Sequence, residues 1–148
     1  MFKTEVAESV RKHLEAEGYE VSVAPGRHSI CIDISARRDK DTFFIEALGE
    51  KAQPDNQNVI FALGKLIMRM KEQGFWIHYG IAIPRSYLKF LKEFEVSGFE
   101  VLKIHVFLVE NFYTLTHLDP QETVKLILQL KSGEPVNLEK IEFDQDLI

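Results

Sequence analysis

The sequence predicts an α/β protein, a mixed central β-sheet flanked by helices. Three observations carry this expectation. Ile30 to Gly49 reads as two apolar strand-length runs separated by a charged turn. Beyond it, two further apolar runs alternate with segments of helical period. Amphipathic segments open and close the pattern, at 3–17 and 120–131. The predicted order is helix, three strands joined by hairpins, helix, strand, helix, strand, helix.

Each element has its own local signal. In 3–17, Val6, Ala7, Val10 and Leu14 form an apolar stripe, and Gly18 ends the helix. Tyr19 to Ala24 alternates as a strand and is closed by Pro25-Gly26. The hairpin follows, with Ile30-Cys-Ile-Asp-Ile-Ser35 on one arm, Phe43 to Gly49 on the other, and Arg37 to Asp41 as the turn. Pro54-Asp55-Asn56 is a helix start, and Val59, Ile60, Leu63, Ile67 and Met70 make an apolar face that runs toward Gly74. Ile77 to Ile83 is apolar throughout and ends at Pro84, as expected of a central strand covered on both faces. A third helix is predicted over Arg85 to Val96 through Tyr87, Leu88, Leu91 and Phe94, with Ser97-Gly98 as its stop, and a strand over Phe99 to Val109. Asn111 to Leu115 is read either as an extension of the sheet or as its exit turn. Asp119-Pro120 supplies an N-cap and first-turn pair for the last helix.

The chain has 148 residues, which predicts one domain over 1–131 followed by an acidic tail over 132–148. The tail is expected to dock in part through Val136, Leu138, Ile141 and Phe143. Net charge is −5, which excludes a protein that grips nucleic acid by bulk charge alone. Residues 134–148 hold five of the 23 acids and one of the 18 bases, leaving the body near neutral. The single cysteine, Cys31, cannot form an internal disulfide; read as a buried strand thiol, it suggests a reducing cytoplasm. No apolar run reaches the roughly 18 residues of a membrane span, so no membrane partner is expected.

Chemistry concentrates on the hairpin. Each of its apolar arms contains one carboxylate, Asp33 and Glu46. A buried carboxylate is costly unless paired, hydrogen-bonded or bound to a metal. Two of them on adjacent strands are what a hard divalent cation requires. The bland alternatives are Asp33 solvated or paired with Arg37 or Arg38, and Glu46 paired with Lys65 without a metal. His78 and His105 lie singly in apolar strands. With no His-x-x-x-His or Cys-x-x-Cys spacing in the chain, they read as core histidines.

A first helix, three strands with Asp on the second and Glu on the third, and a helical crossover to a buried strand resemble the PD-(D/E)xK nuclease superfamily. The resemblance spans roughly residues 3–109. It implies a restriction endonuclease-like fold (an αβββαβαβ core, here with a C-terminal helix) and magnesium or manganese as cofactor. It implies Asp33 and Glu46 as metal ligands, with the carbonyl of Ala47 completing the protein's share. Glu5 or Glu8 would match a further acid used by some members. Gln57-Asn-Val-Ile-Phe61 resembles the Gln-x-x-x-Tyr element of the RecB-like branch, with Phe for Tyr. The pattern's lysine, expected two residues after Glu46, is Leu48 here. Lys65, on the 57, 61, 65 stripe of the second main helix, or Lys51, just past the strand, could replace it. Arg27, Arg37, Arg38 and Lys40 border the hairpin and would hold phosphates if they sit beside the carboxylates.

Three functional expectations follow. One is a metal-dependent phosphodiesterase acting on nucleic acid. The second is a catalytically silent relative that binds nucleic acid or a protein partner. The third is an assembly protein that forms a homodimer through the long apolar strands and the last helix.

Overall fold

A computed structural model describes residues 1–24, 31–136 and 138. Its strands β1 (Glu20–Val23), β2 (Ile34–Arg38) and β3 (Asp41–Ala47) form an antiparallel meander. β4 (Ile77–Pro84) adds parallel to β3, and β5 (Ile104–Val109) adds parallel to β4. β6 (Leu115–Leu118) closes the sheet antiparallel to β5. The described residues therefore form a six-stranded mixed sheet, ordered as in the sequence. The α/β expectation holds at this level.

Helices cover both faces. Helix α1 (Lys3–Ala16) packs Val6, Ala7, Val10 and Leu14 on one face, against Ile34, Phe43, Ile45 and Phe107. On the other face lie α2 (Asn56–Met68), a 3-10 helix (Arg85–Glu93), α3 (Val96–Leu102) and α4 (Pro120–Ser132). Their Val59, Leu66, Tyr87, Leu91 and Leu126 pack with Tyr79, Ile81, Ile83, Val106 and Leu108 of the sheet. Alternate residues of each strand feed the two cores, and β4 and β5 are apolar throughout because both their faces are covered. Capping boxes set two of the helix starts, Asp55 with Asn58 for α2 and Asp119 with Glu122 for α4.

Several local expectations are corrected. β2 begins at Ile34, not near Cys31, and Cys31 is exposed. The β2–β3 turn is only Asp39-Lys40, because Arg38 and Asp41 still pair, and Asp39 takes the left-handed conformation (φ 54°). The third predicted helix is 3-10 over Arg85–Glu93, and a separate α3 occupies the start of the predicted strand. Gly98 does not stop a helix but lies inside α3, which ends at Lys103 in the left-handed region (φ 53°). Of the predicted apolar face of α2, Val59 is buried with Ala62 and Leu66, while Ile60 and Ile67 are exposed beside Phe61 and Met68. The buried stripe is set by the 59, 62, 66 spacing, which places 60 and 67 on the outer flank.

Asn111 to Thr114 forms a turn in which Asn111 Oδ1 accepts from the Tyr113 and Thr114 N–H groups, and β6 follows it. The long apolar strands β4 and β5 lie inside the sheet, so they offer no dimer surface. Val136 and Leu138 pack on the core, as expected; Ile141 and Phe143 lie outside the described residues. Among the described residues no helix is long and apolar enough to cross a membrane.

Candidate functional site

Asp33 and Glu46 converge. Glu46 lies on the β3 face that meets α2, between Phe44 and Leu48, and is completely buried. Asp33 immediately precedes β2 and is 8% exposed. Its Oδ2 accepts the Ala47 N–H at 3.0 Å, which holds it at the carboxyl end of β3. The two carboxyl groups are within hydrogen-bonding reach of each other. Two carboxylate oxygens approach this closely only with a proton or a cation between them.

Three protein cations surround the pair. Lys3 Nζ is 2.9 Å from Asp33 Oδ1. Lys65 Nζ is 3.6 Å from Glu46 Oε2, and Arg69 Nη1 is 3.2 Å from Glu46 Oε1. Neither contact to Glu46 is an aligned hydrogen bond, so neither cation satisfies its enclosed oxygens. Burial pushes the Glu46 carboxyl up, to about 8, and the adjacent Asp33 adds to this; Lys65 and Arg69 only partly oppose it. Burial alone would raise Asp33 as well. The contact with Glu46, the Ala47 N–H and Lys3 outweigh burial and hold Asp33 below the usual carboxylate range. At neutral pH the pair thus carries one proton, held by Glu46.

The backbone explains why Lys3 is the residue that α1 delivers. Gly49, at the exit of β3, passes so close to the start of α1 that a Cβ there would lie 2.5 Å from the Lys3 backbone nitrogen. This close approach sets the first turn of α1 beside Asp33. An open cleft of about 590 Å³ lies at the same place, lined by Lys3, Thr4, Asp33, Gly49 and Lys51 among others.

The residues singled out in the sequence fall into three groups. Asp33, Glu46, Ala47 and Lys65 are brought together, though Ala47 is seen offering its N–H rather than its carbonyl. Leu48, at the position of the superfamily lysine, is buried in the core. Lys51 lines the cleft beside Asp33, and its N–H donates to Tyr87 Oη at 2.9 Å.

Others stand apart. Gln57 is exposed on the first turn of α2. Glu8 pairs instead with Arg11 at 3.9 Å, and α1 presents a lysine to Asp33 rather than Glu5 or Glu8. Arg37, Arg38 and Lys40 lie at the β2–β3 turn, at the opposite end of β3 from Glu46. The strand from Asp41 to Glu46 spans about 17 Å, so these bases do not border the carboxylates. Arg38 is engaged by the Glu17 carbonyl (2.6 Å) and stacks over Tyr19 (4.5 Å). Arg27 lies outside the described residues.

Two members of the site, Lys3 and Arg69, were not anticipated from the sequence. Arg69 is one step further along the 57, 61, 65 stripe, so the spacing that pointed to Lys65 also points to it. Lys3 had no comparable signal, because its placement depends on the Gly49 approach. No protein-family model and no curated protein matches this chain.

Proposed function

We propose that this chain is a metal-dependent phosphodiesterase of the nuclease type, acting on nucleic acid at the Asp33–Glu46 pair. The observation that carries the reading is the convergence of two buried carboxyl groups with the Lys65 ammonium 3.6 Å from one of them. The donor chemistry fits a hard divalent cation. Glu46 offers two enclosed oxygens that no N–H donor satisfies, and its neighbour is a carboxylate already held in place by a backbone N–H. Asp33 and Glu46 would hold magnesium or manganese. When bound, the metal supplies Lewis-acid activation of a water and of the phosphate.

The remaining work falls to this chain's own groups. Lys65, close to Glu46, would orient the attacking water and offset charge on the phosphate. Arg69 holds the Glu46 carboxylate once its proton has gone. Lys3 and Lys51 line the cleft from which a phosphodiester would enter, and the first turn of α1, which lacks a side-chain cap, adds backbone N–H groups there.

Nuclease assays on plasmid, single-stranded and branched substrates with magnesium or manganese test the proposal. Cleavage is expected for the wild type, with a loss of at least about 100-fold in Lys65→Met and in Asp33→Asn. Metal-independent cleavage, or full activity in both variants, would overturn it. A second reading, a silent scaffold that binds nucleic acid or protein, is favoured by the buried Leu48 and by the cations Lys3 and Arg69, which already compensate the pair.

A further inference from the structure

The other face of the sheet carries a second cluster with no part in the carboxylate site. His13 lies in the last turn of α1, and Glu17 caps that helix one turn later. His117 comes from β6, and His105 from the neighbouring β5. One donor atom each from His13, Glu17 and His117 lie within 4.8 Å of one another. His13 Nε2 is 2.7 Å from Glu17 Oε1, yet the two are not aligned as a hydrogen bond, and the enclosed Nε2 has no hydrogen-bond partner. His105 Nδ1 is 2.9 Å from His117 Nε2.

We propose that His13, Glu17 and His117 form a binding site for a zinc-type divalent cation that ties the C-terminal end of α1 to the edge strand β6. Two imidazoles and one carboxylate are a donor set for a borderline transition metal, unlike the oxygen-only pair of Asp33 and Glu46. His13 and Glu17 are four residues apart on one helix face, a spacing that lets both side chains reach one ion. A tetrahedral zinc with Zn–N of about 2.0–2.1 Å sets its ligands about 3.4 Å apart. Glu17 Oε1, 2.7 Å from His13 Nε2, can move out to that spacing because its side chain is 44% exposed.

The second layer is also present. His105 orients the His117 ring, in the way that ligating histidines are usually braced by a further acceptor or donor. Phe107 stacks on His117 at 4.2 Å and 8°, which fixes its plane. Gly80 leaves space for this stack, since a Cβ there would lie 3.2 Å from Phe107 Cε2 and 3.0 Å from the His105 carbonyl. Three protein ligands leave one position open beside the exposed Glu17.

The site is separable from the carboxylate pair. Lys3 and His13 are ten residues apart on α1, about 15 Å along the helix. The test is calorimetric titration of Zn²⁺ into the metal-stripped full chain near neutral pH. It is run on the wild type, on His13→Gln, on Glu17→Gln and on Asp33→Asn/Glu46→Gln, with the visible spectrum of Co²⁺ as a second readout. One Zn²⁺ per chain is expected for the wild type and, unchanged, for the carboxylate double variant. Affinity should fall by about 100-fold in His13→Gln and about 10-fold or more in Glu17→Gln, with loss of the Co²⁺ bands. Glu17 is exposed, so its variant keeps the fold and reads the ligand role directly. Absence of saturable Zn²⁺ binding, binding unaffected by both variants, or binding lost only in the carboxylate double variant would overturn the proposal.

Discussion

The proton on Glu46 is the residue-scale fact from which most of the chemistry follows. A carboxyl with no exposure, beside a second carboxyl, keeps its proton well above the ordinary range despite two neighbouring cations. The sign of the linkage is definite. The folded state binds this proton more tightly than the unfolded chain, so the contribution is complete below the unfolded value of 4.5 and is lost as pH rises toward about 8. Glu46→Gln keeps the shape and can donate to Asp33. It should therefore flatten the decline in stability between neutral pH and pH 8, by about 1 kcal/mol over that window in urea titrations. A variant that declines as steeply as the wild type would show that Glu46 is not the titrating group. Sequence reading reached Asp33 and Glu46 because each interrupts an apolar run, and Lys65 through the 57, 61, 65 helix spacing; both are local signals. It missed Lys3, whose position depends on a backbone contact 46 residues away along the chain.

At the scale of elements, the site depends on how α1 meets the exit of β3. Gly49 allows that contact: its missing Cβ is replaced by the backbone of Phe2 and Lys3 at 2.5–3.1 Å. Gly49→Ala must push the first turn of α1 outward. The expected cost is about 1–3 kcal/mol by thermal or urea unfolding, with a raised Asp33 pKa by NMR as Lys3 withdraws. An unchanged Asp33 titration in a destabilised Gly49→Ala would separate Lys3 from the pair. Elements with clear caps were legible in the sequence, as the starts of α2 and α4 at Asp55 and Asp119 illustrate. The 3-10 helix was not, since Tyr87, Leu88 and Leu91 fit an α-helical spacing equally well. The histidine cluster was hidden for another reason. His13, His78, His105 and His117 come from α1, β4, β5 and β6, and only the strand order brings them together.

For the whole molecule, the two faces of one sheet oppose each other in pH. Burial pushes His105 down to about 3 and His117 down to about 4, against 6.5 unfolded. Their contribution is complete above the unfolded value and lost as pH falls, because the unfolded chain then takes up two protons. Glu46 acts in the other direction, and Asp33, held low, loses its contribution only in stronger acid. Between about 4.5 and 6.5 the two histidines outweigh Glu46, and stability rises by roughly 1 kcal/mol per pH unit; above 6.5 only Glu46 remains and stability falls. A maximum close to pH 6.5 is therefore expected for the chelator-treated protein, read from urea midpoints across pH. A monotonic rise through pH 8 would contradict the protonated Glu46. The two-faced core follows from patterning, whereas the sixth strand, Leu115–Leu118, and the order of the strands in the sheet were not read from the sequence, and the pairing of the two carboxyls also needs Asp33 to lie outside β2 and turn back onto Ala47.

In the proposed function, the Asp33–Glu46 pair exchanges its proton for a divalent cation. The most direct measurement is calorimetric titration of magnesium, then manganese, near pH 7 in two buffers of different ionisation enthalpy. The comparison variant is Asp33→Asn/Glu46→Gln. Binding with release of up to about one proton per metal, stronger toward pH 8 and absent in the double variant, is expected. Binding without proton release, binding retained in the double variant, or no binding by the wild type with or without nucleic acid would contradict it.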